Sequence, residues 1–177
     1  CERFVRGVEH RLLVVGGKML AAARGEEAWV TGDGQATVAE LIDAQINSDV
    51  RRGLTEDYPL NMIRIEEDPA VALELERQGL SGEGVPAEGL RVLIQRNGNV
   101  AFDCTDEVHP ETAATVARAA RCIGLDIAGI DLVATDIAKP LGPQGGAIVE
   151  VNAGPGLIMH LRPAEGLSRP VGRAIVD

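Results

Sequence analysis

The chain has 177 residues, enough for one domain with a sizeable core, and carries 17 basic against 27 acidic side chains, a formal net charge of −10. That acidic field argues against nucleic acid and anionic lipid as partners, and no apolar run is long enough to span a bilayer. Hydrophobic residues make up 45% but aromatics only 2%, so the core must be built from Val, Ile, Leu and Ala.

Glu9 to Val15 reads as a strand, Gly16-Gly17 as a hairpin turn, and Lys18 to Arg24 as the returning strand. A separate short strand is expected from Ala28 to Thr31, ending at the turn Gly32-Asp33-Gly34. Thr37 and Glu40 have capping-box spacing and should open a helix whose apolar stripe is Leu41, Ile42 and Ile46. Residues 47–61 are polar and read as an exposed loop. Asp68-Pro69 starts a second helix, which stops at Gly79. Leu90 to Arg96 and Asn99 to Asp103 flank Asn97-Gly98, a strong hairpin signal. Pro110 begins a helix with Ala113, Val116, Ala117, Ala120 and Ile123 on one face, closed by Gly124. Ala128 to Ala134 and Ala147 to Val151 follow as apolar strands. Hairpins followed by a helix and buried strands predict an α+β fold with an antiparallel sheet.

Those last strands carry the chemistry. Alternate side chains on a strand share a face, so Glu150 and Asn152 point one way while Val149 and Val151 pack on the other. Asp131 is likewise one acid in the apolar run Gly129-Ile130-Asp131-Leu132-Val133. A single such residue would read as a loop cap or a backbone partner. The three together are hard oxygen donors of the kind Mg²⁺ takes, and they converge if the two strands are neighbours.

Gly-Ile-Asp and Glu-Val-Asn-Ala-Gly-Pro-Gly together resemble the Mg²⁺ site of the ATP-grasp superfamily. The resemblance implies Asp131, Glu150 and Asn152 as metal ligands, with Glu150 bridging two ions against the ATP phosphates. The stretch from Glu2 to Glu9 is similar to the family's hinge, which implies Glu2 beside adenine and Glu9 on the ribose hydroxyls. Arg11 and Arg24 are candidates for phosphate or acyl-phosphate contacts, with a surface charge as the other reading of each. Arg24 is the preferred catalytic candidate, since it ends a strand leading toward the nucleotide. His109 reads as a helix cap. His160, just past Gly-Pro-Gly, reads as either a substrate contact or a loop residue.

Thr105-Asp106-Glu107-Val108-His109-Pro110, Gly32-Asp33-Gly34 and Met159-His160-Leu161 narrow the resemblance to the cyanophycin synthetase family, over nearly the whole chain. It implies an ATP- and Mg²⁺-dependent ligase that joins a carboxylate to an amine through an acyl phosphate, with small-molecule or peptide substrates. The chain then corresponds to the C-terminal part of an ATP-grasp domain, with residues 30–90 as a helical insertion. The lysine-bearing first subdomain would precede Cys1, and any downstream ligase domain would lie beyond residue 177. Beginning at Cys1 rather than Met, the chain reads as a piece of a longer protein. Its three cysteines have no paired metal-ligand spacing and suit a reducing cytoplasm. Oligomeric state stays open, a homo-oligomer being one candidate.

One departure stands out. The family's extended Asn-Leu-Ser-Thr-Gly-Gly segment is replaced by residues 96–102, about four residues shorter by alignment to the family pattern. The expectation is a tight Asn97-Gly98 turn and an altered acceptor. Two rival functions remain: a ligase adding an amino acid to another peptide or protein, and a non-catalytic ATP-grasp relative that serves as a binding module.

Overall fold

The structure, a computed structural model, describes residues 4–55 and 57–176, and only the backbone of residues 97–100. It is α+β, with a five-stranded sheet of order β5-β2-β1-β6-β7. The strands are β1 (Val8–Val15), β2 (Lys18–Thr31), β5 (Arg91–Asp103), β6 (Ile127–Ala134) and β7 (Ala147–Asn152), and β1 pairs antiparallel with both β2 and β6. Two-residue strands β3 (Arg52–Gly53) and β4 (Leu60–Asn61) pair in parallel within residues 47–61, which were expected to be loop. No helix among the described residues is long and apolar enough to cross a membrane.

The chain divides into two compact units, residues 1–25 with 100–177, and residues 26–99. In the first, β1 and β6 alternate cleanly. Leu12, Val14, Ile130 and Leu132 face one way and pack on Val116, Ala117 and Ala120 of α3 (Pro110–Cys122). His109 caps that helix, its Nδ1 accepting from Glu111 N at 3.2 Å. On the opposite face Leu13, Val15 and Ala21 pack with Val171 and with Leu157 and Leu161, which lie beside and within α4 (Ile158–Leu161). Val171 opens α5 (Val171–Val176). In the second unit, α1 (Val38–Ile42) starts on the expected capping box: Thr37 Oγ1 accepts from Glu40 N, and Glu40 Oε2 accepts from Thr37 N at 2.8 Å. A π-helical turn follows over Asp43–Asn47. α2 (Pro69–Arg77), capped by Asp68, completes this unit's own core with Val30, Val38, Ile42, Val71, Leu75 and Ile94.

Two strand expectations are corrected. β2 is one strand through Gly25 and the exposed pair Glu26-Glu27, not two. β5 likewise runs unbroken through Asn97-Gly98, where a hairpin turn was expected. The cause is shared. A turn signal acts only if the chain folds back on itself, and here β5 and β2 are each other's neighbours in the sheet, so ladder pairing overrides local turn preference. Gly16-Gly17, with φ of 57° and 72°, does form its turn, because the strand it returns beside is its own predecessor.

Candidate metal and nucleotide site

β6 and β7 are antiparallel neighbours, and the register sets Asp131 opposite Glu150 and Gly129 opposite Asn152. Asn152 Nδ2 donates to Asp131 Oδ2 at 3.0 Å. The acid, acid and amide expected to converge are therefore together at the end of β7. Among the described residues no group of three His, Cys, Asp or Glu stands close enough to hold a metal, so the set is two carboxylates and an amide.

A β-bulge lies just beyond this set. Asp131 pairs with Glu150, but the next residue, Leu132, pairs with Ile148, which leaves Val149 as the extra residue. The sequence-based expectation that Val149 packs beside Val151 is thus corrected. Val149 is 60% exposed, and Ile148 joins Val151 against the core. The bulge keeps Glu150 and Asn152 on the face opposite α3 while both apolar neighbours stay covered.

Gly129 has a steric reason to lack a side chain. A Cβ there would lie 2.6 Å from Pro155 Cβ and 3.4 Å from Arg11 Cδ. The Gly-Pro-Gly loop and the Arg11 stem thus occupy the space above it.

Arg11 lies on β1 directly across from Asp131. Its Nε and Nη2 grip the two carboxylate oxygens of Asp131, the Nη2 contact being 2.8 Å. Asp131 is only 6% exposed, so this pair and Asn152 are what satisfy it. Glu9 shares the strand face of Arg11. Burial raises its pKa first and the Asp131 charge adds to this, while Arg11 opposes both. His160, 2% exposed on α4, has an Nε2 without a hydrogen-bond partner. Burial, then the charge of Arg11, lowers its pKa to about 4, so the ring is neutral at pH 7.

Arg24 does not join this group. Its cross-strand partner on β1 is His10, so it shares the face of Leu12 and Ala22, opposite that of Arg11. It reaches Glu107 at 3.3 Å, and β2 continues seven residues past it to Thr31 rather than ending there. Glu2 lies outside the described residues.

Sequence reasoning missed a second buried ion pair. Arg169 Nη2 donates to Asp103 Oδ2 at 2.7 Å and to Asp106 Oδ2 at 2.8 Å. Thr105 Oγ1 and Leu167 N also donate to Asp103. Burial would raise the Asp103 carboxyl, but Arg169 and these donors hold it down at about 2. The partners stand more than 60 residues apart in sequence, and no local pattern announces them.

As a test of fit, the donor chemistry suits a divalent cation: Asp131, Glu150 and the Asn152 amide offer oxygens, and Asp131 already has a positive charge seated on it.

No protein-family model matches the chain. It is 44% identical, over 181 aligned residues, to cyanophycin synthetase of Crocosphaera subtropica and to that of Nostoc sp., matching 99% of this chain and 20% of each relative. It is 30% identical over 181 residues to the glutathione biosynthesis bifunctional protein GshAB of Clostridium perfringens, matching 99% of this chain and 23% of that protein. The crystal structure of a bifunctional glutathione synthetase from Pasteurella multocida superposes with a TM-score of 0.67 at 29% identity, over 98% of this chain and 24% of that one. The chain thus spans about a fifth of the length of the curated relatives it matches. By sequence and by fold together, the chain is similar to an ATP-grasp segment of the kind that cyanophycin synthetases carry.

Proposed function

We propose that this chain is the metal-binding part of an ATP-dependent carboxylate–amine ligase, and that the protein carrying it extends a polymer of aspartate and arginine. The observation that carries the reading is the register of β6 and β7, which sets Asp131 opposite Glu150 with Asn152 bonded to Asp131. The 44% identity to cyanophycin synthetases supports the finer assignment.

In this reading Asp131, Glu150 and Asn152 hold Mg²⁺, which neutralises the phosphate charge of ATP when bound. Arg11 offers a planar fork to a phosphate or acyl phosphate. Glu9 accepts hydrogen bonds from the ribose hydroxyls. A substrate carboxylate oxygen attacks the γ-phosphorus and ADP leaves, giving an acyl phosphate. An amine then attacks the acyl carbon, loses a proton and expels phosphate. Residues 96–102, shorter than the family's segment, run within the continuous strand β5 and not as the expected turn, and an altered acceptor stays part of the proposal.

The test is ADP release by the full-length protein over a panel of carboxylates and amines. Release that depends on an aspartate/arginine primer supports the finer reading. Release with another peptide carboxylate supports a peptide ligase, the reading toward which the 30% identity to GshAB leans. Nucleotide binding without release under every pairing overturns the enzyme assignment.

A further inference from the structure

The candidate metal site already holds a cation, and that cation belongs to the chain. Arg11 sits opposite Asp131 in register, with Nε on one carboxylate oxygen and Nη2 on the other. Asn152 Nδ2 takes a further position on Oδ2. A carboxylate offers about four lone-pair positions, so three are filled and the fourth lies beside a full positive charge. Asp131 is too buried for water to screen that charge.

From this arrangement we infer that Arg11 is the resident counter-ion of the metal site. Its guanidinium and a divalent cation exclude each other on Asp131, so metal entry and release of Arg11 toward an anion are a single exchange. The inference rests on the metal site proposed above. Without an incoming anion, the guanidinium has no partner as good as Asp131, and the site stays closed to metal. A polyphosphate supplies that partner, since the planar fork matches a phosphate as well as it matches a carboxylate. The surroundings favour the exchange. Glu150, on the far side of Asp131, is exposed and so is free to meet the metal first. His160, whose pKa is lowered partly by Arg11, adds no second positive charge near the fork at neutral pH.

The exchange is tested by metal binding alone, with Mn²⁺ as the probe and no nucleotide, read by electron paramagnetic resonance on the full-length protein. Arg11→Met keeps an unbranched stem and removes the charge. It is expected to bind Mn²⁺ at least about tenfold more tightly than the unaltered protein. Affinity equal to or weaker than that of the unaltered protein, in a folded variant, overturns the inference. A further change of Asp131→Asn in that background separates the two claims. If the double variant binds as tightly as Arg11→Met, the metal does not sit on Asp131, and the site assignment itself fails. Should Arg11→Met not fold, the unaltered protein gives the answer through the ¹⁵N resonance of the Arg11 Nε–H. That signal is expected to move when Mg²⁺ and a non-hydrolysable ATP analogue are added together, but not with Mg²⁺ alone. A signal indifferent to both overturns the exchange.

Discussion

Two aspartates of the first unit are held in the same way but sit in different company. Asp103 and Asp131 have side chains 7% and 8% exposed, and each is gripped by two nitrogens of one arginine. Burial therefore does not distinguish them. The company around each pair does. Arg169 spends its remaining donors on Asp106, while Thr105 and Leu167 donate to Asp103, so every group in that cluster has a partner from the chain itself. It ties the segment near Leu167 to the end of β5, where Asp103 N also donates to Glu165 O at 3.0 Å. The Arg11–Asp131 pair instead opens onto two further acids, Glu9 and Glu150, and onto an amide. A closed ion-pair network serves stability; the open one, surrounded by spare oxygens, is where the proposed site lies.

The sharpest way to break this comparison is at Glu150. Glu150→Gln keeps the shape and removes the charge, and it should lower turnover of the full-length protein by at least about 10²-fold while leaving the melting temperature almost unchanged. Turnover near that of the unaltered protein at saturating Mg²⁺ would sink the metal assignment.

Next in size is the contrast between the two aspartates in urea unfolding. Asp103→Asn leaves Arg169 its pair with Asp106 but removes the charge on which Arg169, Thr105 and Leu167 converge, and should cost about 2 kcal/mol. Asp131→Asn leaves Arg11, already part-exposed, free to hydrate, and should cost about 1 kcal/mol. Equal losses would mean that both pairs serve stability alone.

A pH titration of stability separates the clusters again. The His160 pKa is lowered to about 4 in the folded chain, whereas the unfolded chain takes up its proton near the ordinary value of about 6.5. Between those values the unfolded state binds more protons, so stability falls as the pH is lowered through that window. His160→Phe should flatten the slope there. The Asp103 contribution, present above the ordinary carboxylate pKa, is lost only as pH falls on toward about 2. A slope between pH 6.5 and 4 that survives His160→Phe would assign it to other groups.

The smallest effect should come from Arg24. Its pair with Glu107 is exposed on both sides, so Arg24→Ala should cost about 0.5 kcal/mol or less and leave Mn²⁺ affinity unchanged. A large loss of metal affinity would return Arg24 to the site from which the sheet geometry separates it.

What the sequence determined by itself was whatever depends on near neighbours. Strand alternation gave Glu150 and Asn152 a common face, the capping box opened α1, and Gly16-Gly17 turned β1 into β2, because each involves residues a few positions apart. Asp131, Glu150 and Asn152 were legible for the same reason, as polar residues in otherwise apolar strands. Tertiary structure alone decided the rest. Asn97-Gly98 and the Gly25 region are extended because a neighbouring strand pairs across them. Val149 is exposed because the register slips by one residue at Asp131. Arg24 and Arg11, alike as charges on adjacent strands, were parted because their register sets them on opposite faces of one sheet. Which arginine meets which aspartate is a matter of strand order and register, and those are fixed by contacts between residues that the sequence keeps far apart.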